Sequence, residues 1–423
     1  MSVPQTLADW LGLLEARHAR AIDLGLDRVK AVRARMRLAP RCPVITVGGT
    51  NGKGSTCAYL EAILLEAGYR VGCYTSPHLL DYRERVRIDG SLLDEARHVA
   101  AFAAVEAARG DTPLTYFEQG TLAALWLFQA AELDALVLEV GLGGRLDAVN
   151  VIDPDCAVVT AVDLDHQEYL GDTREAIGRE KAGIFRAGRP AVVTDPDPPA
   201  SLIEHARHCG AGLLRLGHEI GIETGEGAWT CRVQDQPYPA LPMPSLPGRF
   251  QLHNAAAAVA ALHVLRGRLP VPMQALRSGL ARAHPPGRFQ VLPDPPMTIL
   301  DVAHNPQSAR ALAGNLARLS TPGRRIAVLG VLRDKDVAGV VQPLLPLIDA
   351  WHAAALPGPR GLSAQALAEV LQAGGGRVAG MHPDVAQALI AARDSAGPAD
   401  IIIVFGSFLT VAAALTLLRN GQS

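Results

Sequence analysis

The chain has 423 residues, enough for two or three domains, and 49% hydrophobic against 19% charged residues excludes a disordered chain. A formal net charge of −2 gives no electrostatic reason to expect nucleic acid or an anionic membrane as partner. Residues 1–9 lack a basic stretch followed by an apolar one, runs such as 123–128 are too short for a bilayer, and six scattered cysteines without a C-x-x-C pair read as thiols of a reducing cytoplasm.

In chain order, residues 7–20 have the spacing of an amphipathic helix, and an apolar, β-branched run then leads into Gly48-Gly49-Thr50-Asn51-Gly52-Lys53-Gly54-Ser55-Thr56. Helical spacing resumes over 57–67, and a strand is predicted at 70–74, before Thr75-Ser76-Pro77-His78. Thr115, Tyr116, Phe117 and Glu118 open a long helix over 119–131. Buried strands at 133–140 and 156–162 pass into Gly141-Leu142-Gly143-Gly144-Arg145-Leu146-Asp147 and Asp163-Leu164-Asp165-His166. Residues 178–185 read as a helix ending near Gly183, and turn signals at 221–227 and 237–247 precede a helix containing Asn254. Prolines 285, 286, 293, 295 and 296 predict an interdomain linker over 285–297. Strands at 298–302, 325–330, 350–354 and 400–405 then alternate with helices. The fold class is α/β: an N-terminal domain (1–284) resembling P-loop ATPases, with a mostly parallel sheet, and a smaller Rossmann-like C-terminal domain (298–423).

Strand, glycine loop and helix in that order gather backbone N–H groups and a positive helix end around one point, which suits a phosphate. Lys53 adds a mobile charge for the outer phosphates, and Ser55 or Thr56 a hydroxyl near a metal. The spelling departs from G-x-x-x-x-G-K-[ST], because position 47 is Val and Gly54 separates Lys53 from Ser55. The bland alternative is an ordinary βα turn. Only four of the 40 basic residues are lysine, at 30, 53, 181 and 335. Arginine keeps its proton whereas a lysine amine can become neutral and react, so Lys53 and Lys181 invite a chemical reason. Glu139 closes an apolar strand, where an unpaired carboxylate is costly; magnesium or a salt bridge to Arg145 would satisfy it. His166 shares that sheet edge, and Lys181 beside Glu180 reads by default as a helix-surface ion pair. Asp301 ends a strand before His304, with Asn305 and Pro306 placed to start a helix; Ser407 is a helix N-cap or a functional hydroxyl.

Five motifs carry a resemblance: Gly-Thr-Asn-Gly-Lys-Gly-Ser (49–55), Ser-Pro-His-Leu (76–79), Leu-Glu-Val-Gly-Leu-Gly-Gly-Arg-Leu-Asp-Ala (138–148), Arg-Glu-Lys-Ala-Gly-Ile-Phe (179–185) and Asp-Val-Ala-His-Asn-Pro (301–306). Together, nearly end to end, the chain resembles the folylpolyglutamate synthases of the Mur ligase superfamily, more closely those that are also dihydrofolate synthases. The resemblance implies that Thr50, Asn51, Gly52, Lys53, Gly54, Ser55, Asn254, Arg288 and Asp301 bind ATP. It implies two magnesium ions, with Ser76, Glu139, His166 and a carboxylated Lys181 as ligands. Ile22, Asp23, Leu24, Thr115, Tyr116, Phe117, Glu118, Leu146, Asp147 and Ala148 would hold the pterin, and His304 and Ser407 would lie near glutamate.

The implied reaction is amide ligation of L-glutamate to dihydropteroate and to folates, through an acyl phosphate, by a cytoplasmic monomer without nucleic-acid or membrane partners. Three alternatives stand beside it. A folate-only polyglutamylase shares these motifs. A Mur-type peptidoglycan ligase is expected to carry a separate domain before the phosphate loop, where only about 43 residues stand here. A nucleotide-switch protein leaves the second domain and the Lys181 motif without a role.

Overall fold

The protein is described by a computed structural model covering residues 4–17 and 22–420. Its strands form sheets whose order follows from where the apolar runs fall. In the first unit they are β1 (Val44–Gly48), β2 (Val71–Tyr74), β3 (Val86–Ile88), β4 (Ser91–Leu92), β5 (Ala135–Glu139), β6 (Cys156–Val159), β7 (Pro190–Val193) and β8 (Gly212–Arg215). Among the described residues they pair in the order β4-β3-β2-β5-β1-β6-β7-β8, parallel from β2 to β8, with β3 and β4 antiparallel at one edge. Every residue of β1, β5 and β6 is buried, as a parallel strand covered on both faces requires.

Helices cover both faces. On one, helix Lys53–Glu66 packs with Arg249–Val264 and Met273–Arg282; Gly279 lies so close to Ile63 that a β-carbon there would meet the Ile63 backbone. On the other lie Leu7–Arg17, Asp27–Met36, Glu95–Arg109 and Tyr116–Gln129. The predicted helix 7–20 is present as Leu7–Arg17; 18–20 lie outside the described residues. Helices Asp27–Met36 and Glu95–Arg109 occupy stretches the sequence reading left unassigned, and an antiparallel sheet of β9 (Ile220–Thr224), β10 (Ala228–Val233) and β11 (Gln236–Pro242) runs through the stretches 221–227 and 237–247 that it read as turns.

The chain divides into two compact units, residues 1–245 with 251–283, and residues 246–250 with 284–423. The second is built on β12 (Gln290–Leu292), β13 (Met297–Asp301), β14 (Arg325–Leu329), β15 (Ala350–Ala354), β16 (Val378–His382) and β17 (Ile401–Phe405), in the order β12-β13-β17-β14-β15-β16. All of these pairings are parallel except β12 with β13. The proline-rich stretch read as a linker thus differs from expectation: Gln290, Val291 and Leu292 pair with Leu300, Ile299 and Thr298, and Phe289 is buried in this core. An edge position explains it, since prolines on either side of β12 need not donate to a ladder.

Candidate functional site

In both units the polar residues gather beyond the carboxyl ends of the parallel strands, where ligands of such sheets sit. β1 ends at Gly48, and Gly49 (φ 144°) lies against Thr160, which follows β6. Thr160 Oγ1 donates to the carbonyls of Gly48 (3.2 Å) and Asn51 (2.6 Å), and the Thr50 amide donates to Ala161 O (2.6 Å). These bonds pin the loop to the neighbouring strand end. Gly52 (φ 90°) caps helix Lys53–Glu66 without any side-chain bond, and a β-carbon at Gly52 would meet the Asn254 side chain. Lys53 Nζ donates to Gly49 O (3.0 Å) and Thr50 O (3.2 Å), so the amine lies over the loop. Ser55 is buried beside Gln251, whose Nε2 lies 3.4 Å from its hydroxyl, while Gln251 Oε1 accepts from Asn254 Nδ2 (3.1 Å). Thr50 to Ser55 and Asn254 therefore stand together. Arg288 and Asp301 belong to the other unit.

Glu139 is buried at the end of β5 and accepts the Ser76 amide on Oε2 (3.0 Å). Arg145, the alternative partner for Glu139, instead grips Glu180 Oε1 from Nε (3.1 Å) and Nη2 (2.9 Å). That pairing also removes the surface ion pair expected of Lys181 with Glu180. Lys181 is 3% exposed on helix Arg174–Ala182, and Gly144 packs directly on its backbone. Burial, aided by the positive charge of Lys53, pushes the Lys181 ammonium down to about 7, against the pull of Asp165 and Asp147. Burial pushes the Asp147 carboxyl up to about 6, against amide donors from Leu142 and Val149 and the charge of Lys53. Lys53, Lys181, Asp147 and Asp165 therefore share one electrostatic neighbourhood. His166 follows β6 in a left-handed conformation (φ 51°), its amide bonded to Asp165 Oδ1 (2.9 Å).

Among the described residues no three His, Cys, Asp or Glu side chains close on one point as a metal site would. The proposed donor set is different in kind, adding a serine hydroxyl and a modified lysine to one carboxylate and one imidazole. Magnesium takes oxygen donors: the buried Glu139 fits that chemistry as it stands, whereas Lys181 would fit it only once its amine was carboxylated.

The residues expected around a pterin fall into linked groups. Arg28 joins Asp23 (ion pair, 2.8 Å) to Glu118 (3.1 Å), bringing segment 22–24 to the start of helix Tyr116–Gln129. Thr115 and Glu118 cap that helix reciprocally: Thr115 Oγ1 accepts the Glu118 amide (3.2 Å) and Glu118 Oε2 the Thr115 amide (2.7 Å). Phe117 packs on Gly141, and Tyr116 on Tyr82. Leu146 and Asp147 close the 141–147 loop, and Ala148 is buried beyond it. Sequence reasoning missed Arg28, Thr160, Asp165 and Gln251; of these only Asp165, beside His166 at a strand end, had a signal that could have found it.

In the second unit Asp301 accepts amides from Phe289 and Ala303 (both 2.8 Å), and burial raises its carboxyl above the ordinary range. The Arg288 guanidinium lies over the Phe408 ring (5.0 Å), and the His304 ring lies 6.2 Å from the same ring. Asn305 caps helix Pro306–Leu316, as its sequence predicts. Ser407 is buried and accepts the Thr410 amide (3.0 Å), so its hydroxyl serves as a helix cap.

Residues 47–262 match the Mur ligase middle domain, and residues 287–408 the Mur ligase glutamate ligase domain. The dihydrofolate synthase/folylpolyglutamate synthase of Escherichia coli K12 is 48% identical over 99% of this chain and 96% of its own. The chain belongs to this family of Mur ligases. Two solved structures of the family are similar over nearly the whole chain. One is E. coli FolC in complex with DHPP and ADP, with a TM-score of 0.94 and 47% identity over 100% of both chains. The other is a bifunctional folylpolyglutamate synthase/dihydrofolate synthase with Mn, AMPPNP and L-glutamate bound, with a TM-score of 0.91 and 48% identity over 99% of this chain and 100% of that one.

Proposed function

We propose that the protein joins L-glutamate to dihydropteroate, and to the glutamyl tail of folates, using ATP. The observation that carries this reading is the glycine loop pinned by Thr160 at the end of β1, with the Lys53 amine lying over it, in a chain that also keeps Lys181 buried. The acceptor carboxylate attacks the γ-phosphorus, giving an acyl phosphate and ADP. The glutamate amine then attacks the acyl carbon, and phosphate leaves with the C–O bond electrons. In this reading the loop 49–55 cradles the phosphates, Lys53 neutralises charge on the transferring group, and Asn254, Arg288 and Asp301 serve the nucleotide. Lys181 would attack carbon dioxide from its neutral amine, the new N–C bond pushing one C=O π pair onto oxygen while the nitrogen gives up a proton to water, and the resulting carbamate would join Ser76, Glu139 and His166 in holding a metal ion. Bound magnesium supplies Lewis-acid stabilisation of phosphoryl oxygens. Segments 22–24, 115–118 and 146–148 hold the pterin, and His304 and Ser407 serve the incoming glutamate, Ser407 while it caps its helix.

Six free thiols support a reducing cytoplasm as the compartment, and the chain acts as a monomer without nucleic-acid or membrane partners. Among the described residues no helix is long and apolar enough to cross a membrane. The test is ADP release with ATP, magnesium and L-glutamate, comparing dihydropteroate with tetrahydrofolate. Turnover with both is expected. Turnover with the folate alone reduces the activity to polyglutamylation, and turnover with neither overturns the reading.

A further inference from the structure

The loop carrying Ser76 is fixed by groups to which the reaction above assigns no part. Arg87, on β3, is a half-buried guanidinium whose donors all find partners. Nε and Nη2 bind the Glu61 carboxylate (3.1 and 2.8 Å), and Nη2 also reaches Cys73 Sγ (3.3 Å). Nη1 donates to Thr75 Oγ1 (3.1 Å) and to the carbonyl of Glu84 (2.8 Å). Glu61 is itself buried, on the helix that begins at Lys53. Glu84 closes the same loop from the far side, its carboxylate accepting the amides of Leu79 (2.7 Å), Leu80 (2.8 Å) and Asp81 (2.9 Å). One planar fork therefore touches the phosphate-loop helix, the residue before Ser76 and the residue that organises the loop beyond it.

We propose that Arg87 is a positioning residue, locking the Ser76 loop to the phosphate-loop helix and so fixing Ser76 relative to Lys53. This rests on the reading of Ser76 as a metal ligand. Arginine suits the task because its five donors keep fixed directions, whereas a lysine would offer a point charge. The buried Glu61–Arg87 pair is weak evidence for stability in its own right, since apolar replacements of such pairs are often neutral. Its geometric value lies in the two donors left over for Thr75 and Glu84.

The test is Mn2+ binding, followed by electron paramagnetic resonance in the presence of a non-hydrolysable ATP analogue, so that turnover is not the readout. Four proteins are compared: wild type, Ser76→Ala, Thr75→Val, and the double variant Glu61→Met/Arg87→Met. Thr75→Val keeps the side-chain shape and removes one tie. The double variant removes the fork without stranding a buried charge. Loss of groups that orient metal ligands typically weakens binding about 10–100-fold; Thr75→Val is expected near the low end and the double variant above it. A role confined to stability lowers the melting temperature and leaves the Mn2+ affinity of the folded protein unchanged. If Ser76→Ala weakens binding while Thr75→Val and the double variant match wild type, the positioning role is overturned. Should Ser76→Ala itself match wild type, the ligand reading falls and the proposal falls with it. Should the double variant not fold, Thr75→Val alone decides.

Discussion

Replacing Lys181 by methionine should stabilise the fold at low pH while abolishing ligation. Burial holds the Lys181 ammonium near 7 instead of 10.5, so between those values the unfolded chain binds a proton that the folded one does not. The sign follows directly. The fold is free of the penalty above 10.5, loses stability as pH falls towards 7, and carries the whole penalty below that. At about 1.4 kcal/mol per pH unit the full penalty is about 5 kcal/mol. Integrated between pH 9.5 and pH 6 it changes by roughly 3 kcal/mol, because about one third has already accrued at 9.5. Methionine matches the length of the lysine stem and carries no proton, so the advantage of Lys181→Met over wild type should grow by that roughly 3 kcal/mol over this range. The assay is urea unfolding of both proteins at pH 6 and pH 9.5 in buffers stripped of carbon dioxide. Titrating groups outside the neighbourhood of Lys181 are common to both and cancel in the double difference. A difference that stays flat with pH, or a variant that loses ground as pH falls, would refute the buried-amine reasoning.

Other expectations are simpler. Lys53→Met removes the positive charge that helps depress Lys181, so the Lys181 amine should titrate higher, as read by the pH dependence of its acylation; ADP formation should be lost as well. Gly52→Ala places a β-carbon against Asn254 at a left-handed position and should abolish nucleotide binding in calorimetry. Gly68→Ala, also left-handed (φ 86°) but facing open space, should cost only about 1–2 kcal/mol of backbone strain and retain full turnover. His352 Nδ1 and His382 Nε2 lie 3.0 Å apart on β15 and β16, and burial lowers both rings below their usual range. The unfolded chain therefore takes up protons first as pH falls below 6.5, and the second unit loses stability there. His382→Gln should make that acid limb shallower in thermal unfolding followed between pH 7 and pH 5.

Much of the site could be read before the fold was known, for local reasons. β1 and its loop announce themselves through a buried run followed by glycines and a lysine, and Glu139 through being an acid directly after the apolar run Ala135 to Leu138. Lys181 was conspicuous as a rare lysine, but not as a buried one. Its helix, with Arg174, Glu175, Arg179 and Glu180, looks solvated. The 141–147 loop lies directly on its backbone, which it reaches only because Gly144 has no side chain, a contact between residues far apart in sequence. Arg28 and Arg87 escaped for the same reason: their buried carboxylate partners, Glu118 and Glu61, lie 90 and 26 residues away. β9–β11 were hidden differently. Turn residues and Pro237 and Pro239 broke the alternation, and edge strand β11 tolerates prolines that an inner strand would not.

Helix Arg249–Val264 has one further consequence. From Ala255 to Ala261 every residue is fully buried, six alanines and one valine, so this segment has no outer face. Tolerance to substitution along most helices rises and falls with the helical turn, because one side meets water. Along these seven positions the profile should be flat and uniformly severe, since each added methyl group meets a packed neighbour in whatever direction it points. In a saturation survey the stretch would resemble a stripe of lethality without rhythm. Tolerated exchanges there should be confined to the smallest side chains.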